Sequence, residues 1–161
     1  MSKPLANPLL NKEVNLQSKN VYATICGFLF ILGCNIVQAE QKQTFGTYEV
    51  HYIAIPTTFL KPDIANQYNI VRAKNRTLVN ISVLQSKDGN LTPVAADITG
   101  HATNLLSQQI PLEFRKVQEG SAIYYLALLR HSDEEHFRFK LNTIFPDGTS
   151  GVVEFKQKVY F

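Results

Sequence analysis

Phe137-Arg138-Phe139-Lys140-Leu141-Asn142-Thr143-Ile144-Phe145, then Pro146-Asp147-Gly148-Thr149-Ser150-Gly151, then Val152-Val153-Glu154-Phe155-Lys156-Gln157-Lys158-Val159-Tyr160-Phe161 decide the fold class. In the first run Phe137, Phe139, Leu141, Thr143 and Phe145 fall on one parity and Arg138, Lys140, Asn142 and Ile144 on the other. Successive strand side chains point to opposite faces, so this alternation predicts a half-buried strand. Val153, Phe155, Val159 and Phe161 form the matching inner row of a second strand, with Gln157 its one polar member. The Pro-Asp-Gly-Thr segment between them is turn chemistry, and the whole reads as an antiparallel hairpin.

Working outward, the same period recurs. Thr77, Val79, Ile81 and Val83 alternate ahead of the turn signal Lys87-Asp88-Gly89-Asn90. Residues 45–55 and 110–118 read as further strands. Ala122-Ile123-Tyr124-Tyr125-Leu126-Ala127-Leu128-Leu129 is apolar on both parities, which places it in a central strand covered on both faces. Residues 94–106 are ambiguous: Ala102–Gln108 suits a helix, but Gly100 and its neighbours suit a bent or bulged strand better. Helix is scarce: Lys61–Tyr68 suits one short turn, with Pro62 near its start. The expected fold is all-β, an immunoglobulin-like sandwich of two sheets with about seven antiparallel strands. A membrane barrel competes, but the 122–129 run offers no polar row for a lumen.

The first 39 residues read differently from the rest. Lys3, Lys12 and Lys19 outnumber Glu13, an apolar run extends from Val21 to Cys34, and Val37-Gln38-Ala39 supplies a small-residue cleavage site. Together these describe a secretory signal peptide spanning residues 1–39, with a single sandwich domain over 40–161. Two alternatives stay open. Ile31-Leu32-Gly33-Cys34 resembles a lipobox in which Cys34 would carry the lipid, and the apolar segment would otherwise serve as a retained anchor. The expected location is periplasmic or secreted, with no transmembrane segment in the mature chain.

Removing residues 1–39 of 161 leaves 122, without either cysteine (Cys26 and Cys34), and with 13 Lys and Arg against 12 Asp and Glu. That balance excludes a nucleic-acid reading. With no thiol, blue-copper, thiol-redox and cysteine-nucleophile chemistries are excluded as well. No serine stands in a nucleophile-elbow context, and the glycines are too dispersed for a phosphate loop. No cofactor and no catalytic residue is expected. Asn75-Arg76-Thr77, Asn80-Ile81-Ser82 and Asn90-Leu91-Thr92 match the glycosylation sequon.

The stretches Tyr48-Glu49-Val50-His51-Tyr52, Phe59-Leu60, Tyr68-Asn69-Ile70, Leu78-Val79-Asn80-Ile81, Thr103-Asn104-Leu105-Leu106, Leu112-Glu113-Phe114-Arg115 and Ala122-Ile123-Tyr124-Tyr125 together resemble a family of small exported proteins of Gram-negative bacteria. That family is defined only as a domain of unknown function. The resemblance implies export and a compact β-rich domain, and it supplies no activity.

Two constellations remain. His131-Ser132-Asp133-Glu134-Glu135-His136 carries zinc-type ligands, but its place between two strands suits a solvated acidic turn, and no metal site is expected. His51 and His101 stand alone. Arg72, Lys74 and Arg76 share a parity, so a regular strand would project them outward together. They then form a binding stripe for an anionic partner, or a charged guard on an exposed edge. The expected function is a non-catalytic binding or assembly module of the bacterial envelope, whose partner is an envelope protein or an anionic envelope component. A periplasmic enzyme or metal-handling protein with a site assembled from loops is the alternative.

Overall fold

A computed structural model describes residues 41–161 of the protein, all within one compact unit, Gln38–Phe161. The leader, its cleavage site and Cys34 lie outside the described residues. Ten strands form among the described residues: β1 (Lys42–Phe45), β2 (Tyr48–Pro56), β3 (Arg76–Lys87), β4 (Asn90–Pro93), β5 (Asp97–Asn104), β6 (Gln109–Pro111), β7 (Arg115–Glu119), β8 (Ala122–Arg130), β9 (His136–Ile144) and β10 (Ser150–Lys158). Between β2 and β3 lie a 3-10 turn, Thr57–Phe59, and one short helix, α1 (Pro62–Gln67), with Pro at its start. No helix among the described residues is long and apolar enough to cross a membrane.

The strands build two antiparallel sheets, one in the order β1-β2-β3-β8-β7 with β4 on β3, the other β10-β9-β5-β6. The two-sheet, almost helix-free fold is the one the alternation predicts, but with ten strands in place of about seven. The count differs because short turns do not interrupt the apolar pattern. Residues 45–55 split at Gly46-Thr47 into β1 and β2, and residues 110–118 split into β6 and β7. β4 is a short return strand too polar to show a period, and Asp88 and Gly89 close it onto β3 with φ of 51° and 78°. Two consecutive positive φ values are what a two-residue hairpin turn demands, and Asp-Gly is a favoured pair for it.

β9 and β10 pair in the expected hairpin, with Phe139 opposite Phe155 and Leu141 opposite Val153. Phe139 and Leu141 are fully buried while Lys140 is exposed. The Phe155 ring stacks on Phe139 at 4.5 Å and on Tyr52 of the facing sheet at 4.5 Å, so one aromatic column joins the two layers. Phe161 departs from the inner row expected for it. β10 ends at Lys158, and the Phe161 amide instead donates to Asp133 Oδ1 at 2.9 Å, leaving the ring exposed.

β8 is covered on both faces for most of its length, with Leu128 left exposed on the outer face. Tyr125, Ala127 and Leu129 join the main core between the sheets, whereas Leu126 packs outward with Leu78 beneath Ala65 and Ile70 of the α1 region. Among the described residues, every member of both clusters lies between Phe45 and Val159.

Candidate functional site

The site is built on the outer face of the larger sheet, at the end where β2 stops and β3 starts. Thr57 is buried, and its hydroxyl donates to the Ala73 carbonyl at 3.0 Å while accepting from the Ala73 amide at 3.0 Å. This double contact pins the loop before β3 onto the 3-10 turn. Arg72 is held in the same loop and donates to the Thr58 carbonyl at 2.8 Å. With Pro62, Ala65 and Ile70 it lines a shallow, open hollow of about 550 Å³ beside α1.

The parity row expected for Arg72, Lys74 and Arg76 does not form. Strand geometry begins only at Arg76; residues 71–75 are loop and turn. The Thr57 clamp and the Arg76 amide bond to Ala73 O at 3.2 Å fold this segment instead of letting it extend. Arg72 and Lys74 are exposed there, and Arg76 is half-buried on the same face of β3 as Leu78.

The residue that sequence reasoning missed is Arg130. β3 and β8 pair in a register that sets Arg76 directly opposite Arg130, as Leu78 is opposite Leu128. Cross-strand partners share a face with Cβ atoms about 4.5–5.5 Å apart, and like charges in that position repel. Neither guanidinium has a carboxylate partner among the described residues. Arg130 follows an apolar run and carries no local signal; only the non-local pairing brings it beside Arg76. Arg138 and Lys156 form a second cation pair on the smaller sheet, again directly opposite each other and two positions in from the same end.

The His131–His136 segment is taken up by structural contacts. His131 is buried, with Nδ1 against the Ser132 carbonyl at 2.7 Å and Nε2 against Thr77 Oγ1 at 3.1 Å. A carbonyl only accepts, so Nδ1 carries the proton, and in the neutral ring Nε2 accepts from the threonine hydroxyl. Glu135 accepts from the Ser132 amide and from Asn104 Nδ2, Asp133 accepts from the Phe161 amide, and Glu134 pairs with Lys158 at 2.9 Å. Among the described residues no group of three or more His, Asp or Glu side chains converges in a metal-ligating arrangement.

Beyond α1, Arg115 donates to the Tyr68 carbonyl, and the Tyr68 hydroxyl donates to Glu119. Burial first, and the Glu119 carboxylate second, push the Tyr68 phenol well above its ordinary value, so it stays a neutral donor. These contacts fasten α1 to β7 and leave the cations at the other end of the loop facing outward.

The family model of DUF4426, a domain of unknown function, matches residues 42–161. The chain is similar to the crystal structure of a DUF4426 family protein from Pseudomonas aeruginosa. The two share 34% identity over 77% of this chain and 97% of that one, with a TM-score of 0.65. No curated protein matches the chain.

Proposed function

Since the chain belongs to the DUF4426 family, a domain of unknown function, we propose a role from its geometry: an exported, non-catalytic binding module of the bacterial envelope that takes an anionic component. The observation that supports this reading is the opposition of Arg76 and Arg130 with no carboxylate between them. Two guanidiniums forced side by side lower each other's stability until an anion sits across them, and their planar donors suit carboxylate or phosphate oxygens. Arg72 and Lys74 extend the same positive surface along the loop. Export is supported by the leader sequence, with its Val37-Gln38-Ala39 site.

Inorganic polyphosphate is the test ligand. The domain of residues 40–161 should bind it with an affinity that falls as salt rises, because exposed charges are screened over about 8 Å at physiological ionic strength. Arg130→Glu should weaken binding about tenfold while the fold is retained. Binding by a folded Arg130→Glu variant equal to that of the wild type would refute the reading.

A further inference from the structure

We infer that the end of the sandwich carrying Arg76 and Arg130 docks end-on to an anionic lipid bilayer, with Leu105 and Leu106 entering the apolar layer. This inference rests on the anion-binding role above and names its partner. Of the ten large apolar side chains that stand exposed among the described residues, six gather at this end: Phe59, Val71, Leu105, Leu106, Tyr160 and Phe161. Leu105 and Leu106 are the most exposed of all, at 79% and 78%.

The two leucines sit at the tip between β5 and β6, and that tip is built to hold them out. Asn104 Oδ1 accepts from the amides of Leu106 (3.1 Å) and Gln108 (3.0 Å), and Ser107 takes a φ of 61° to close the turn. Asn104 Nδ2 donates to Gln108 Oε1 at 2.8 Å and to Glu135 Oε1 at 3.1 Å. Glu135 belongs to the five-residue arch from β8 to β9, which begins next to Arg130, and the His131 amide donates to the Asn75 carbonyl at 3.1 Å. One hydrogen-bonded chain therefore runs from the leucine tip through the arch to the basic loop.

The charge of this end matches the same partner. Arg72, Lys74, Arg76 and Arg130 lie on the larger sheet's side and Arg138 and Lys156 on the smaller sheet's, whereas the acids Asp133, Glu134 and Glu135 are occupied in holding the arch, Lys158 and the C-terminal residues. Apolar protrusions ringed by cations are the chemistry of an interfacial membrane contact, where buried apolar area and attraction to anionic headgroups add.

Co-sedimentation of the domain of residues 40–161 with vesicles tests the inference. Vesicles of phosphatidylcholine mixed with phosphatidylglycerol should carry the domain down, and pure phosphatidylcholine should not. Leu105→Asp combined with Leu106→Asp should weaken vesicle binding about tenfold or more, since two leucines lose their buried area. The same double variant should bind polyphosphate as the wild type does. Leu91→Asp, an exposed leucine on β4 far from this end, should leave both unchanged. Polyphosphate binding without vesicle binding would overturn the membrane inference and leave the anion-binding role standing. Vesicle binding by a folded double variant equal to the wild type would overturn it too, and loss of both ligands by Arg130→Glu alone would support it.

Discussion

Arg76 and Arg130 stand directly opposite each other where β3 and β8 meet their common end, two cations in a cross-strand pair with no acid beside them among the described residues. A sheet selected for stability alone has no use for that pairing. An opposite-charge pair at the same position is favourable by roughly 0.2–1 kcal/mol and a like-charge pair costs a similar amount.

Arg130→Glu should therefore stabilise the domain by about 0.5–1 kcal/mol while it weakens anion binding about tenfold. Denaturant midpoints measured beside polyphosphate affinity check both halves. A variant that became less stable would show that the two guanidiniums do not repel in the folded state.

The register of the final hairpin predicts a strong contrast between neighbours. Phe139 is fully buried in the aromatic column, and Lys140 is exposed with only a surface pairing to Glu154 at 3.4 Å. Phe139→Ala should cost about 3–5 kcal/mol. Lys140→Ala should stay within about 0.5 kcal/mol. Equal losses in urea denaturation would place the strand in the wrong register.

Gly100 on β5 marks a close approach. A Cβ there would meet the Lys140 carbonyl oxygen at 2.5 Å and Leu141 Cδ2 at 2.7 Å. The first is ladder backbone and cannot turn aside as a side chain would, so Gly100→Ala should destabilise by about 1–3 kcal/mol. Thermal melting of the variant gives the measurement, and an unchanged midpoint would mean that β5 and β9 separate more easily than their pairing suggests.

Two buried threonines should answer the same substitution with opposite signs. Thr77 supplies the hydroxyl facing His131 Nε2, and Thr77→Val would leave that nitrogen buried without a partner at a cost of about 1–3 kcal/mol. Thr143 is equally buried, but its Oγ1 has no hydrogen-bond partner. Thr143→Val should be neutral or stabilising by up to about 1 kcal/mol, because it removes an unpaired polar atom from the core. Chemical denaturation of the two variants side by side decides it.

Export gives a prediction independent of the domain. Cleavage after Ala39 should yield a mature chain beginning at Glu40 and free of thiol. Intact mass of material recovered from the producing cell's envelope reads this directly. A diacylglycerol-modified Cys34 at the new terminus, or an uncleaved chain, would replace cleavage with one of its two alternatives.

The amino-acid sequence by itself determined the class of this fold, because the deciding signal is local. Phe137, Phe139, Leu141 and Thr143 alternate with Arg138, Lys140 and Asn142 within β9, so their sides follow from the period alone. The run Ala122–Leu129 declared its coverage on both faces in the same way, since no polar parity was left to face water, although Leu128 stands exposed on the outer face. The strand count escaped because Gly46-Thr47 and the polar β4 break or extend strands without disturbing the apolar pattern. The candidate site was only partly legible. Arg72, Lys74 and Arg76 were visible as charges, but their expected row depended on an extended backbone, and the buried Thr57 hydroxyl, 16 residues from Ala73, folds that segment into a loop. Arg130 lies 54 residues from Arg76, and the leucine tip is tied to the arch by Asn104 and Glu135, 31 residues apart. No periodicity encodes such distances. They are set by which strands pair and in what register, a choice made when the two sheets close over their common core.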